Sequence, residues 1–175
     1  MTPLVRAAYE GRETIVKLLL RQADVNLNTK DGSGRTLLSV SGLRGHDSVV
    51  KLLLSRKDVE VNSKDEAGMT PLHFASCYGG QEVMRTLLAK VDIEVNPRTN
   101  SGNTPLSNAA FCGHLDVVKL LLARADIDVD SFDKHGEMLL SRAERKFAME
   151  PSDNEIGEVV NRATVQVRSS NKDKD

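Results

Sequence analysis

Apolar positions along the chain come in two alternating spacings. In the first stretch Leu4 is followed by Ala7 and Ala8, the spacing of a short helix with a small-residue face. Gly11 interrupts it. Ile15 and Val16, then Leu18, Leu19 and Leu20, predict a second helix with Lys17 on its solvent side. The spacing then drops to two, with Val25 and Leu27 apolar and their neighbours polar, which predicts an extended segment. Lys30-Asp31-Gly32-Ser33-Gly34 supplies turn residues for a hairpin tip.

This cycle repeats. Thr2-Pro3-Leu4 returns as Thr36-Leu37-Leu38, Thr70-Pro71-Leu72, Thr104-Pro105-Leu106 and, degenerately, Met138-Leu139-Leu140, each 34 residues after the last. Gly11, Gly45, Gly79 and Gly113 keep the same step, as do Gly34, Gly68, Gly102 and Gly136. So do the pairs Ile15-Val16, Val49-Val50, Val83-Met84 and Val117-Val118. Several markers in one register identify a stacked repeat array. Each Thr can cap a helix whose first residue is Pro in three units. Glu13, Asp47, Glu82 and Asp116 open the second helices, and Arg21, Arg56, Lys90 and Arg124 close them, both signs suiting the helix dipole.

The order of elements, with TPLHFAS from Thr70 and TPLSNAA from Thr104, resembles the ankyrin repeat family over roughly residues 2–150. The resemblance implies an all-α repeat solenoid of stacked helix-turn-helix units with projecting β-hairpin loops. Units run about 2–35, 36–69, 70–103 and 104–137, with a degenerate cap over 138–167, so the domain spans 1–167 and a disordered tail 168–175. The period is one residue longer than the family's usual 33, and the extra residue falls in the connector. The glycine that commonly ends the second helix is replaced by Ala23, Lys57, Val91 and Ala125. Ser41-Gly42 stands where other units carry an Ala pair or Ala-Ser, and this second unit lacks the Pro, so it is expected to be the least stable internal unit. Arg142, Glu144, Arg145 and Lys146 make the fifth unit polar and Phe147 replaces its glycine, with a shifted helix expected over 154–163. At the other end Leu4, Ala7 and Ile15 are expected to face water, as in the C-terminal part of a longer array.

Composition narrows the function. The net charge of -1 disfavours nucleic acid and anionic membrane surfaces as partners. The apolar runs are too short to span a membrane. Two cysteines cannot build a disulfide framework, which points to a reducing, intracellular setting, cytoplasmic or nuclear. Aromatics are only 3% of the chain, so repeated Leu, Val and Ala contacts must hold it together.

No catalytic, cofactor or metal site is expected. His73, in Thr-Pro-Leu-His, reads as a brace at a helix start, as the resemblance implies, since a general base needs a positioned partner. His46 and His114 recur at one register and read as structural, and His135 as a solvated tip. Cys77 and Cys112 lack the ligand set zinc requires, and a catalytic Cys–His pair is the minor reading. Asp31, Asp65 and Asp133 read as turn formers. Leu54 with Glu60-Val61-Asn62, and Leu88 with Glu94-Val95-Asn96, resemble the sites at which asparaginyl hydroxylases modify ankyrin repeats; a purely structural role for Asn62 and Asn96 is preferred.

Positions that vary between units while the frame stays fixed mark the binding surface. In this register they are Arg6, Val40, Phe74, Asn108 and Arg142; Tyr9, Leu43, Cys77, Phe111 and Arg145; Glu10, Arg44, Tyr78, Cys112 and Lys146; and, before the capping Thr or its replacement Met138, Arg35, Met69, Asn103 and Glu137. Four of the six aromatics fall here. Aromatic residues rimmed by Arg suit a protein interface, although Phe74 and Phe111 could instead pack between helices. The expected function is non-catalytic: binding a protein partner through a concave groove and the hairpin tips, with no nucleic acid, membrane or small-molecule substrate. The alternative is the regulatory or targeting part of a larger multidomain enzyme or signalling protein.

Overall fold

The computed structural model describes residues 2–22, 25–78 and 80–129, and the isolated helical positions Glu155, Gly157, Glu158, Val159, Arg162 and Val165. Among the described residues eight helices form four antiparallel pairs: α1 (Pro3–Tyr9) with α2 (Glu13–Leu19), α3 (Leu37–Leu43) with α4 (Asp47–Leu54), α5 (Pro71–Tyr78) with α6 (Gln81–Leu88), and α7 (Pro105–Cys112) with α8 (Leu115–Leu122). First helices pack chiefly on neighbouring first helices and on their own partners, giving the layers α1·α3·α5·α7 and α2·α4·α6·α8.

The helix starts follow the sequence pattern. The hydroxyls of Thr2, Thr36 and Thr104 accept the backbone N–H of Val5, Ser39 and Ser107. Ser107 returns the bond to the Thr104 N–H at 2.9 Å, completing a capping box. The first helices α1, α3 and α7 each end on a tight reversal. In the first unit Gly11 N–H bonds Ala8 O and Arg12 N–H bonds Ala7 O, a Schellman pair. Gly11 has φ 68, and a Cβ there would lie 2.6 Å from His46 Nδ1, so only glycine fits.

The loops expected as β-hairpins form no strand among the described residues. Asp31 N–H bonds Arg35 O, yet the returning Arg35 N–H goes to Asp31 Oδ1. Asp65 with Met69, and Thr99 with Asn103, repeat the arrangement. A side-chain oxygen thus replaces one half of each backbone pair, and no ladder propagates. Asp31 and Asp65 are turn residues.

Among the described residues the core is a continuous run of Leu, Val, Ala, Ile and Met through all four units, with no aromatic in it. Leu27, Val61, Val95 and Val129 point inward from the connectors. Leu4 and Ala7, expected to face water, are buried because α1 packs on both α2 and α3. Ile15, on the outer side of α2, is 48% exposed. Gly42 faces α5, where an added Cβ would sit 3.4 Å from Pro71 O, an ordinary van der Waals contact. Beyond α8, Val159 packs on the core and Glu155 pairs with Lys119 at 3.2 Å, so these helical positions dock on the last described unit. The first helix of the cap, with Arg142 to Phe147, and the 168–175 tail lie outside the described residues, as do His135 and Asp133.

Candidate functional site

Neighbouring units are joined by side chains that cross the junction at fixed register. Asn28 donates Nδ2 to Asp58 O and accepts Glu60 N–H on Oδ1. Asn62 does the same with Asp92 O and Glu94 N–H, and Asn96 with Asp126 O and Asp128 N–H. This bidentate bracing assigns Asn62 and Asn96 a structural task. In the opposite direction Arg56, Lys90 and Arg124 donate to Leu20 O, Leu54 O and Leu88 O. The cations at the second-helix ends therefore satisfy carbonyls of the preceding unit's second helix, where its dipole is negative. The sequence pattern had assigned them to their own helix.

The histidines follow the same logic. His46 Nε2 bonds Tyr9 O at 3.0 Å, and His114 Nε2 bonds Cys77 O at 2.9 Å. His73 is fully buried; its Nδ1 accepts from Thr70 N–H and its Nε2 donates to Asn103 O at 3.1 Å. Both ring nitrogens are committed, and burial holds its pKa down at about 4. These bonds need the neutral ring. At Asp31, burial opposes the charge, but Arg35 and the Ser33 and Arg35 N–H groups outweigh it and hold the carboxyl below its usual range.

The variable positions lie on the first-helix layer and the loop bases. Tyr78 is 63% exposed, Phe111 43% and Tyr9 38%. Arg44 stacks over the Tyr9 ring, 4.6 Å from its centre. Arg6 and Arg12 both reach Glu10, at 3.0 and 3.5 Å, and lower its pKa. Leu43 and Met69 are half-buried. Arg35 is tied to Asp31 at 2.9 Å, and Asn103 to Ser101 and Thr99. Phe74 differs from the expectation of an exposed contact: it is only 6% exposed, at the same register as buried Val40, on the helix that lies between α3 and α7. An apolar ring there turns down between its neighbours, whereas Arg6 at that register stays outside. Both Phe74 and Val40 are buried but lie apart from the main core cluster.

One juxtaposition carried no sequence signal. Cys77 interacts with both Asn108 and Cys112, and burial, reinforced by Cys112, pushes its thiol up to about 12. A cavity of about 260 Å³ also opens beside α1 and α2, between Leu4, Leu19, Val25 and Leu37. Among the described residues no group of three metal-binding side chains converges, and no helix is long and apolar enough to cross a membrane.

No curated protein matches the chain. The family model described as ankyrin repeats in three copies matches residues 1–65 and 41–133, most of the chain and nearly all of the described units. Ankyrin repeats are in general interaction modules without catalytic activity. With four stacked helix pairs, capped starts and glycine-closed reversals in one register, the chain belongs to the ankyrin repeat family.

Proposed function

We propose that this protein is a non-catalytic module that binds a protein partner across its first-helix layer and loop tips. One observation carries the reading: three exposed aromatics, Tyr9, Tyr78 and Phe111, stand at variable positions on a frame whose fixed positions are spent on the fold. Rigid aromatic side chains give large contact area at low entropic cost, which is the composition of interface hot spots. Arg44, held over Tyr9, adds a cation at the same end.

The test is a peptide-library selection against the full chain, followed by affinity measurement with variants. Tyr78→Ser with Phe111→Ser should weaken binding at least ~10-fold, an interface loss of ~1.4 kcal/mol or more, while leaving the urea midpoint near wild type. Phe74→Ser should instead destabilise the fold by about 3 kcal/mol. Lys51→Glu with Lys119→Glu, on the second-helix layer, should leave binding unchanged. If the lysine pair abolishes binding and the aromatic pair does not, the surface is wrongly placed.

A further inference from the structure

The chain has two cysteines, and the fold brings them together. Cys77 lies in the last turn of α5, and Cys112 ends α7. These helices pack side by side. The His114 bond to the Cys77 carbonyl, 2.9 Å, anchors the chain just past Cys112 against the end of α5. Asn108 and Cys112, one helical turn apart on α7, share a face, and both interact with the Cys77 side chain. Neither sulfur is in a disulfide; Cys112 is exposed and Cys77 half-buried.

We propose that Cys77 and Cys112 form a peroxide-responsive dithiol that closes into an intramolecular disulfide tying the third unit to the fourth. Exposed Cys112 meets the oxidant first, because a hydroperoxide must reach the sulfur it oxidises. Its sulfur attacks the terminal peroxide oxygen, the O–O bond breaks, the alcohol (water, for hydrogen peroxide) leaves with a proton, and Cys112 becomes a sulfenic acid. The Cys77 sulfur then attacks the Cys112 sulfur. The S–O bond breaks, the Cys77 proton leaves with the hydroxyl as water, and the S–S bond forms. Two electrons pass from the thiols to the peroxide, and a dithiol reductant reverses the change. Cys77, shielded by the α7 face, is the resolving partner and not the first target.

Tyr78 follows Cys77, and Phe111 precedes Cys112, so the bond would fix the spacing of these two exposed aromatics. This consequence rests on the binding role proposed above; the bond itself does not.

The full chain, dilute and reduced, is treated with hydrogen peroxide, then alkylated and analysed by intact mass and non-reducing peptide mapping. The expected result is monomeric protein lighter by two hydrogens, both thiols lost together, one peptide pair linking Cys77 to Cys112, and full reversal by dithiothreitol. Cys77→Ser should halt at oxygen added to Cys112, and Cys112→Ser should leave Cys77 open to alkylation in the presence of peroxide. Wild-type protein that accumulates oxygen on Cys112 with Cys77 still free, or that yields mainly covalent dimers, would overturn the pairing. Loss of Cys77 in Cys112→Ser at the wild-type rate would overturn the order of reaction.

Discussion

His73 makes the stability of the third unit depend on pH in a way that can be calculated. The ring titrates at about 4 in the folded chain against an ordinary value of 6.5. The cause is burial, which opposes the charged form, with Nδ1 already used as an acceptor from Thr70. A base with a depressed folded pKa binds its proton more readily when unfolded. The stabilising contribution is therefore complete above pH 6.5, falls as pH drops below that value, and is gone by about pH 4. Each pH unit inside the window costs about 1.4 kcal/mol, and the full window about 3.4 kcal/mol. At pH 5 linkage gives a loss of about 2 kcal/mol relative to pH 7. The comparison variant is His73→Ser, because Ser107 at that register builds a working capping box. It loses the bond to Asn103 O and the ring's packing, and should be less stable at pH 7 by about 1–3 kcal/mol. Its stability should then change far less between pH 7 and pH 5. Urea unfolding of both chains at the two pH values gives the double difference, in which the carboxylates common to both cancel. Equal pH losses in wild type and variant would refute a buried neutral imidazole.

Asn62→Ala removes the side-chain bonds to Asp92 O and Glu94 N–H at a solvent-exposed junction. It should cost about 0.5–1.5 kcal/mol by urea unfolding; a cost near zero would show that water replaces both bonds. Gly11→Ala adds a Cβ at φ 68 against the His46 ring, and should destabilise by more than ~1 kcal/mol. Gly42→Ala is the opposite case. Its Cβ meets only ordinary contacts, at 3.4 and 3.9 Å, so helix propensity should stabilise the second unit by about 0.5–1 kcal/mol; a lowered melting temperature would show that the close approach of α3 and α5 needs glycine.

The period, the Thr caps, the glycine reversals and the inward connector residues were all legible in the sequence, because each depends on local geometry that recurs. What crosses a junction was less so. The cations at the second-helix ends look the same whether they cap their own helix or the one before it, and only the stacking offset sends Arg56 to Leu20 O. Phe74 and Tyr78 sit four residues apart on a helix of two turns, and spacing does not tell which one folds beneath its neighbours. The Cys77–Cys112 contact was hidden for a related reason: the two occupy different register positions in adjacent units, so the repeat aligns each with something else. Gly80, standing where His46 and His114 bridge other units, shows that a register can lose one fitting without losing the stack.

Because Asn side chains reach forward by 30 and 32 residues while Arg and Lys reach back by 36, every junction presents matching sockets on one side and plugs on the other. Such an array can change length only in whole steps. A duplicated 34-residue segment brings a complete set of fittings to both of its new neighbours, whereas an insertion of any other length inside a unit shifts donors away from acceptors along an entire seam. The chain is thus extensible in one direction-preserving quantum, and two arrays built from these units could be spliced head to tail but not head to head.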